Sequence, residues 1–245
     1  MNLTIGILTY NEEERIENCL KSCLKLHNNI LIIDDFSNDK TIQICKQYKC
    51  KIIKNKFLNF SQQRNFLVEN CNTYWLLMID SDETLTQELV DNIKQTIKNP
   101  IYNSYKMKRN NYFNNCILRM YSPDYQHRFF NKKACLKCKG IVHNKFFVKG
   151  DIGKLSGFLN HDSYKNIEHY INKIIIQSKK KAQMKLQNGE NYNFCYLFLK
   201  CVITFIKLYI IKLGFLNGIY GLIFVNGHIM YDILTWYFVY INYKK

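Results

Sequence analysis

The sequence predicts an α/β fold, a parallel sheet with helices on both faces. Two observations carry this. Apolar strand-like runs alternate with helical segments four times in the first 100 residues, the pattern of βαβ units. Polar and acidic clusters follow those runs directly, where open α/β sheets bind ligands outside the carboxyl ends of their strands. Composition agrees. A chain of 245 residues at 47% hydrophobic and 22% charged folds, and two Pro and ten Gly exclude collagen-like or linker-rich architecture. That length buries a core without disulfides or a structural metal.

Leu3–Leu8 is the first strand, ending in Thr9-Tyr10-Asn11-Glu12. Glu12–Leu26 places Ile16, Leu20, Cys23 and Leu24 at three-to-four spacing, an amphipathic helix. Ile30–Ile33 is a buried-type strand ending at Asp34-Asp35. Ser37-Asn38-Asp39 offers cap chemistry for a helix through about Tyr48. Lys51–Ile53 reads as a strand, Ser61–Cys71 as a helix, and Trp75–Ile79 as a strand ending in Asp80-Ser81-Asp82-Glu83. Thr86–Ile97 reads as a helix closed by Asn99-Pro100. Residues 101–165 read as mixed strands and loops, and Asn166–Gln187 as a basic helix.

The formal charge of +16 is unevenly distributed. Residues 1–99 hold 12 basic and 13 acidic side chains, residues 100–193 hold 18 and 5, and residues 194–245 hold 5 and 1. Such an excess implies an anionic partner. Residues 194–245 also hold 14 of the 36 aromatics. Leu213–Tyr231 has no charged side chain but contains four Gly, two Asn and a His. With Lys200, Lys207 and Lys212 before it, an interfacial amphipathic helix pair is expected rather than a spanning one. The N-terminus shows no export-signal pattern, so the ten cysteines are expected as reduced thiols in a cytoplasmic protein. Cys135 and Cys138 form the lone C-x-x-C, and a zinc site needs a second pair.

No G-x-G-x-x-G follows the first strand and no G-x-x-x-x-G-K-[ST] is present, which argues against a dinucleotide cofactor and a P-loop. Asp80 and Asp82 stand on alternate positions after a buried strand. Carboxylates are hard oxygen ligands for Mg²⁺ or Mn²⁺, which are commonly shared with substrate phosphates. A divalent ion there would neutralise a diphosphate leaving group. Taken alone the triplet is weak, since such residues are common in turns.

Leu-Thr-Tyr-Asn-Glu-Glu (8–13), Ile-Asp-Asp-Phe-Ser-Asn-Asp-Lys-Thr (33–41), Gln-Arg-Asn (63–65) and Ile-Asp-Ser-Asp-Glu (79–83) resemble the motifs of glycosyltransferase family 2. The likeness continues through residues 122–130, 142–143, 161–164 and 213–222, where it resembles the lipopolysaccharide core β-1,4-glucosyltransferase branch. The resemblance implies a GT-A fold, a Rossmann-like nucleotide-diphospho-sugar transferase sheet, with a C-terminal amphipathic helical tail. It implies an inverting transfer from a nucleotide sugar, with UDP the expected carrier. By carry-over Thr9, Tyr10, Asn11 and Glu12 line the nucleotide pocket, and Asp34, with Asp35 beside it, binds the base or ribose. Arg64 and Asn65 approach the phosphates, Asp80 and Ser81 face the ribose and diphosphate, and Asp80 and Asp82 hold the metal. Asp39 reads instead as a helix cap. Residues 1–100 are then the nucleotide-sugar-binding half, 101–190 the acceptor-binding half, and 191–245 the aromatic, basic tail.

Inversion requires a base for the acceptor hydroxyl. Close relatives commonly place Glu after Val-His, but here Asn144 follows His143, and a neutral amide is no base. Asp124 or His143 is the expected substitute, while Arg128 is expected on a phosphate or bracing a carboxylate. His161 reads equally as a structural or a catalytic histidine. The expected acceptor is an anionic glycolipid or glycan of the cell envelope, met by a peripheral protein on the inner face of the cytoplasmic membrane. A catalytically altered family member acting as a sugar-nucleotide-binding or scaffold protein is the first alternative, prompted by Asn144. A nucleic-acid-binding protein is the second. It is disfavoured because the aromatics gather in an apolar tail rather than among the basic residues.

Overall fold

The structure is a computed structural model that describes residues 2–139, 145–190 and 194–243. The described chain forms β1 (Leu3–Thr9), α1 (Ile16–Leu24), β2 (Ile30–Asp34), α2 (Thr41–Gln47), β3 (Lys51–Lys54), α3 (Phe60–Asn70), β4 (Trp75–Asp80), β5 (Glu83–Leu85) and α4 (Gln87–Lys98). Next come β6 (Ser104–Phe113), β7 (Cys116–Ile117), β8 (Asp124–Asn131), β9 (Cys135–Lys139), β10 (Lys145–Val148) and β11 (Ile152–Asp162). The last elements are α5 (Ile167–Gln187), α6 (Phe194–Phe205) continued by a wider π turn over Ile206–Ile211, and α7 (Gly218–Tyr243). Two compact units result, one of residues 1–110 and 124–161, the other of residues 111–123 and 162–245.

The main sheet runs β3-β2-β1-β4-β8-β6-β11-β5, with β7 paired to β6. The first four strands are parallel, as the strand–helix alternation requires. From β8 onward the sheet becomes antiparallel, because β6 and β8 are joined without a helical crossover. The parallel half meets the expectation, and the stretch expected as mixed strands and loops supplies the other half. Helices cover both faces of the first unit. Ile16, Leu20, Leu89 and Ile93 of α1 and α4 pack with Ile5, Ile7, Leu77 and Ile79 on one face. Leu67 of α3 packs with Leu31, Leu76, Met78 and Phe130 on the other.

Three helices of the chain begin on side-chain caps. Asn59, Thr86 and Asn166 each accept a backbone N–H in the first turn of α3, α4 and α5. Thr86 Oγ1 also accepts from Phe158 N–H at 3.0 Å, tying β11 to the start of α4. Gly157 makes that approach possible, since at φ +86° a Cβ would lie 2.3 Å from Leu89 N. Two helices begin later than expected. α1 starts at Ile16 because the backbone before it is held by side chains of the next loop. For α2 the cap residue is Lys40 rather than Asp39, although Asp39 Oδ1 still accepts from Thr41 N–H at 2.9 Å at the helix start.

The second unit has its own core. Phe113, Leu118, Met120, Tyr170, Ile174, Phe224 and Val225 are buried together. Tyr170 donates its hydroxyl to Phe224 O at 3.1 Å, directly beside the Gly227 backbone. All ten cysteines are free thiols.

Candidate active site

The site grows from loops at the carboxyl ends of β1, β2 and β4. The first two loops are laced together. Asn11 N–H donates to Ser37 Oγ (3.0 Å), Glu12 N–H to Thr41 Oγ1 (2.8 Å), and Asn38 N–H to Asn11 Oδ1 (2.9 Å). Asp34 is fully buried and organises the second loop. Its Oδ2 accepts from Ser37 N–H (3.0 Å) and its Oδ1 from the Ser37 hydroxyl (2.5 Å). Asp35 Oδ1 accepts from Phe57 N–H at 2.8 Å. Phe36, directly after the two aspartates, has φ +56°, a conformation that bulky residues adopt at a cost of order 1 kcal/mol. It leaves the Phe36 ring 56% exposed, as Tyr10 on the neighbouring loop is 55% exposed.

The loop after β4 carries the charge. Asp80 Oδ2 meets Arg128 Nη2 at 2.8 Å, and Asp80 Oδ1 lies 3.8 Å from Arg64. Glu83, fully buried, accepts from Arg128 Nη1 (2.7 Å), Arg109 Nη1 (3.0 Å) and the Asp80 backbone N–H (3.0 Å). Arg109 closes the chain with a two-pronged pair to Asp124, at 3.0 and 2.7 Å. That pair is set by sheet register, since Arg109 and Asp124 stand opposite each other on β6 and β8. Glu12 is gripped by Arg15 at 2.7 Å on both oxygens.

Asp82 is the exception in this lattice. Its Oδ2 lies 3.3 Å from His161 Nε2 and 3.8 Å from Arg15, but its buried Oδ1 has no partner among the described residues. Thr9 Oγ1 is likewise buried and unpartnered. Burial alone would raise the Asp80 carboxyl, but Arg128 and Arg64 outweigh it and hold it well below the usual carboxylate range. Asp82 is also lowered, with burial opposed by the His161 hydrogen bond and charge. Burial lowers the Arg128 guanidinium's affinity for its proton, but Asp80 and Glu83 more than restore it.

Most of the expected residues therefore meet in the first unit. Thr9 and Ser81 at the strand ends, Arg64 on α3 and Arg128 on β8 are buried, and Asp80 and Asp82 sit half-buried. Asn65 lies elsewhere, with its side chain bonded in both directions to the backbone of Cys138 on β9. His143 and Asn144 lie outside the described residues. Glu83, Arg109 and Arg15 were not singled out from the sequence as site residues. For Glu83 the signal was present, an acid directly following the Asp-Ser-Asp triplet. Arg109 and Arg15 carry no local signature.

A nucleotide-type α/β sheet with an acidic turn braced by arginines at its strand ends defines a nucleotide-sugar transferase of GT-A architecture. The sequence model described as Glycosyl transferase family 2 matches residues 4–148, more than half of the chain, and the chain belongs to that family. An uncharacterized glycosyltransferase of Rickettsia typhi is 29% identical over 236 residues, covering 89% of this chain and 79% of its own. The lipopolysaccharide core biosynthesis glycosyltransferase LpsC of Rhizobium meliloti is 24% identical over 231 residues, covering 89% and 82%. Among solved structures, S. aureus TarS 1-349 in complex with UDP-GlcNAc superposes with TM-score 0.50 at 14% identity, covering 73% of this chain and 66% of that one. The chain is thus a glycosyltransferase.

Proposed function

We propose that this enzyme transfers a sugar, with inversion, from a uridine-diphosphate donor to a glycan or glycolipid acceptor of the cell envelope at the inner face of the cytoplasmic membrane. The observation that carries the donor half is the Asp80-Ser81-Asp82 turn. Its first carboxylate is neutralised by Arg128, while its second keeps a buried oxygen without a partner among the described residues. The envelope acceptor is in keeping with LpsC, which by its description serves lipopolysaccharide core biosynthesis. The uridine carrier is in keeping with TarS, whose structure holds UDP-GlcNAc.

A divalent ion is proposed at Asp82, with the substrate's phosphates completing its ligands, since the described residues hold no group of three or more His, Cys, Asp or Glu side chains placed to bind one. An orphaned buried carboxylate oxygen with an imidazole 3.3 Å from its other oxygen is a donor set suited to Mg²⁺ or Mn²⁺ shared with phosphate oxygens. Asp82 would hold it with His161 alongside, and Asp80, occupied by Arg128, would take the smaller part. When bound, the ion supplies charge neutralisation to the departing diphosphate. Arg64, buried and close to Asp80, adds positive charge on the same side. Tyr10 and Phe36 present exposed rings on adjoining loops for the nucleobase.

Asp124 is proposed as the base. It is the most open carboxylate of the lattice, with its side chain 38% exposed against 0% for Glu83 and 19% for Asp82. Arg109 orients it, and Gln126 Nε2 donates to Oδ2, which leaves a lone pair of Oδ1 for an acceptor hydroxyl. The hydroxyl proton passes to Asp124 as the oxygen attacks the anomeric carbon from the face opposite the leaving diphosphate. The test is calorimetric titration of UDP-sugars with and without Mn²⁺, followed by a transfer assay on envelope glycolipids. Metal-enhanced donor binding with turnover supports the reading. Donor binding without turnover on any acceptor would instead assign a sugar-nucleotide-binding role.

A further inference from the structure

We propose that the helix formed by Phe194–Ile211 is an in-plane anchor that seats the second unit in the acyl boundary of an anionic membrane leaflet. This concerns a surface of the second unit alone, and it stands whether or not the transferred sugar goes to a lipid. The helix is long and apolar, yet only 11% of its residues are buried. One narrow seam, with Leu197 and Leu208 buried, packs against α7. Phe205 and Tyr209 flank that seam half-buried, and the opposite side faces outward, where Phe198, Leu199, Val202, Ile203, Ile206 and Ile210 are each at least 40% exposed. A continuous apolar surface of that kind is not left in water by a folded protein.

Charge selects the occupant. The second unit carries twelve basic and four acidic side chains. Two of the four acids are already paired, Glu190 with Lys185 and Asp232 with Lys200. Lys207 and Lys212 are exposed at the end of the apolar helix, and Lys179 and Lys180 are exposed on α5. An apolar face with a cationic border and neutralised acids matches acyl chains beneath anionic headgroups. The lysine stems allow their ammonium groups to remain at headgroup level while the helix lies below. Tyr237 and Tyr240, exposed on α7, add the amphipathic aromatics typical of a membrane interface. A partner protein of ordinary composition offers no such excess of negative charge, and a second copy of this unit would set like charges against each other.

The test is co-sedimentation of the full chain with phosphatidylcholine vesicles and with vesicles of equal parts phosphatidylcholine and phosphatidylglycerol, in the absence of any sugar nucleotide. The wild type is expected to bind the anionic vesicles about tenfold better and to release in high salt. Ile203→Asp with Ile206→Asp is expected to lose about tenfold or more of that binding. Lys207→Glu with Lys212→Glu should erase the preference for the anionic vesicles. Far-UV circular dichroism and donor titration on the same samples check that the fold and the nucleotide site are intact, so a failed anchor and a failed transferase are told apart. Equal binding by the Asp double variant, or no vesicle binding by the wild type, overturns the proposal. So does a wild-type dimer, in light scattering, that the Asp variant splits while vesicles are ignored.

Discussion

Arg128 and Glu83 form a buried ion pair, with Nη1 to Oε2 at 2.7 Å and Glu83 wholly excluded from solvent. Glu83 bonds a second guanidinium, Arg109, and the backbone N–H of Asp80 as well. One carboxylate therefore positions the Asp80 turn, the arginine that braces Asp80, and the arginine that braces Asp124. Glu83→Gln leaves two buried cations short of negative charge. It is expected to lower the unfolding free energy by about 3 kcal/mol, measured by urea denaturation. An unchanged midpoint would mean that the lattice does not depend on Glu83.

Asp82 predicts a different outcome. Among the described residues its Oδ1 has no partner, so Asp82→Asn removes the charge and weakens only the His161 and Arg15 contacts of Oδ2. Stability should stay within about 1 kcal/mol of wild type, while Mn²⁺-dependent transfer falls by about a hundredfold or more. Full retention of activity would remove the metal assignment.

Asp124 should separate binding from chemistry. Asp124→Asn keeps the shape of the Arg109 contact but cannot take a proton. The turnover number is expected to fall by about two to four powers of ten, while the donor KM changes little. A raised donor KM with intact turnover would make Asp124 a structural brace only.

His127, on β8 in the middle of the sheet, predicts a pH dependence. Burial and the neighbouring Lys106 push His127 from its ordinary 6.5 down to about 4. The unfolded chain therefore takes up a proton that the folded chain refuses between those values. This contribution to stability is complete above about pH 6.5 and is lost as pH falls toward 4. Urea midpoints measured across that window should decline, and His127→Leu should flatten the decline. An identical slope in the variant would assign the effect to other groups.

Much of this was legible in the amino-acid order. The alternation of apolar runs with helical segments foretold β1 to β4 and α1 to α4 but not the short β5, and α5 begins within one residue of its expected start. The acidic and polar clusters at 9–12, 34–35 and 80–83 all lie at strand ends, because a strand that buries both faces must turn into polar residues where it leaves the sheet. The roles of individual side chains were less legible. Asn11 and Asn65, expected on the ligand, have their amides in hydrogen bonds to other loops and strands. A polar side chain near a strand end satisfies backbone donors as readily as a substrate, and residue type alone does not distinguish the two.

The sequence by itself determined the fold class, the parallel half of the sheet and the placing of the carboxylates, since these follow from local periodicity and turn chemistry. Only the tertiary structure decided which charge meets which. Arg109 faces Asp124 through the register of β6 and β8, and Glu83 reaches Arg128, 45 residues away, across the sheet. Those pairings leave Asp82 with the unclaimed oxygen while Asp80, two residues earlier, is occupied. The physical reason is that strand register fixes long-range neighbours only once every strand has buried its apolar face, and no local pattern encodes that outcome.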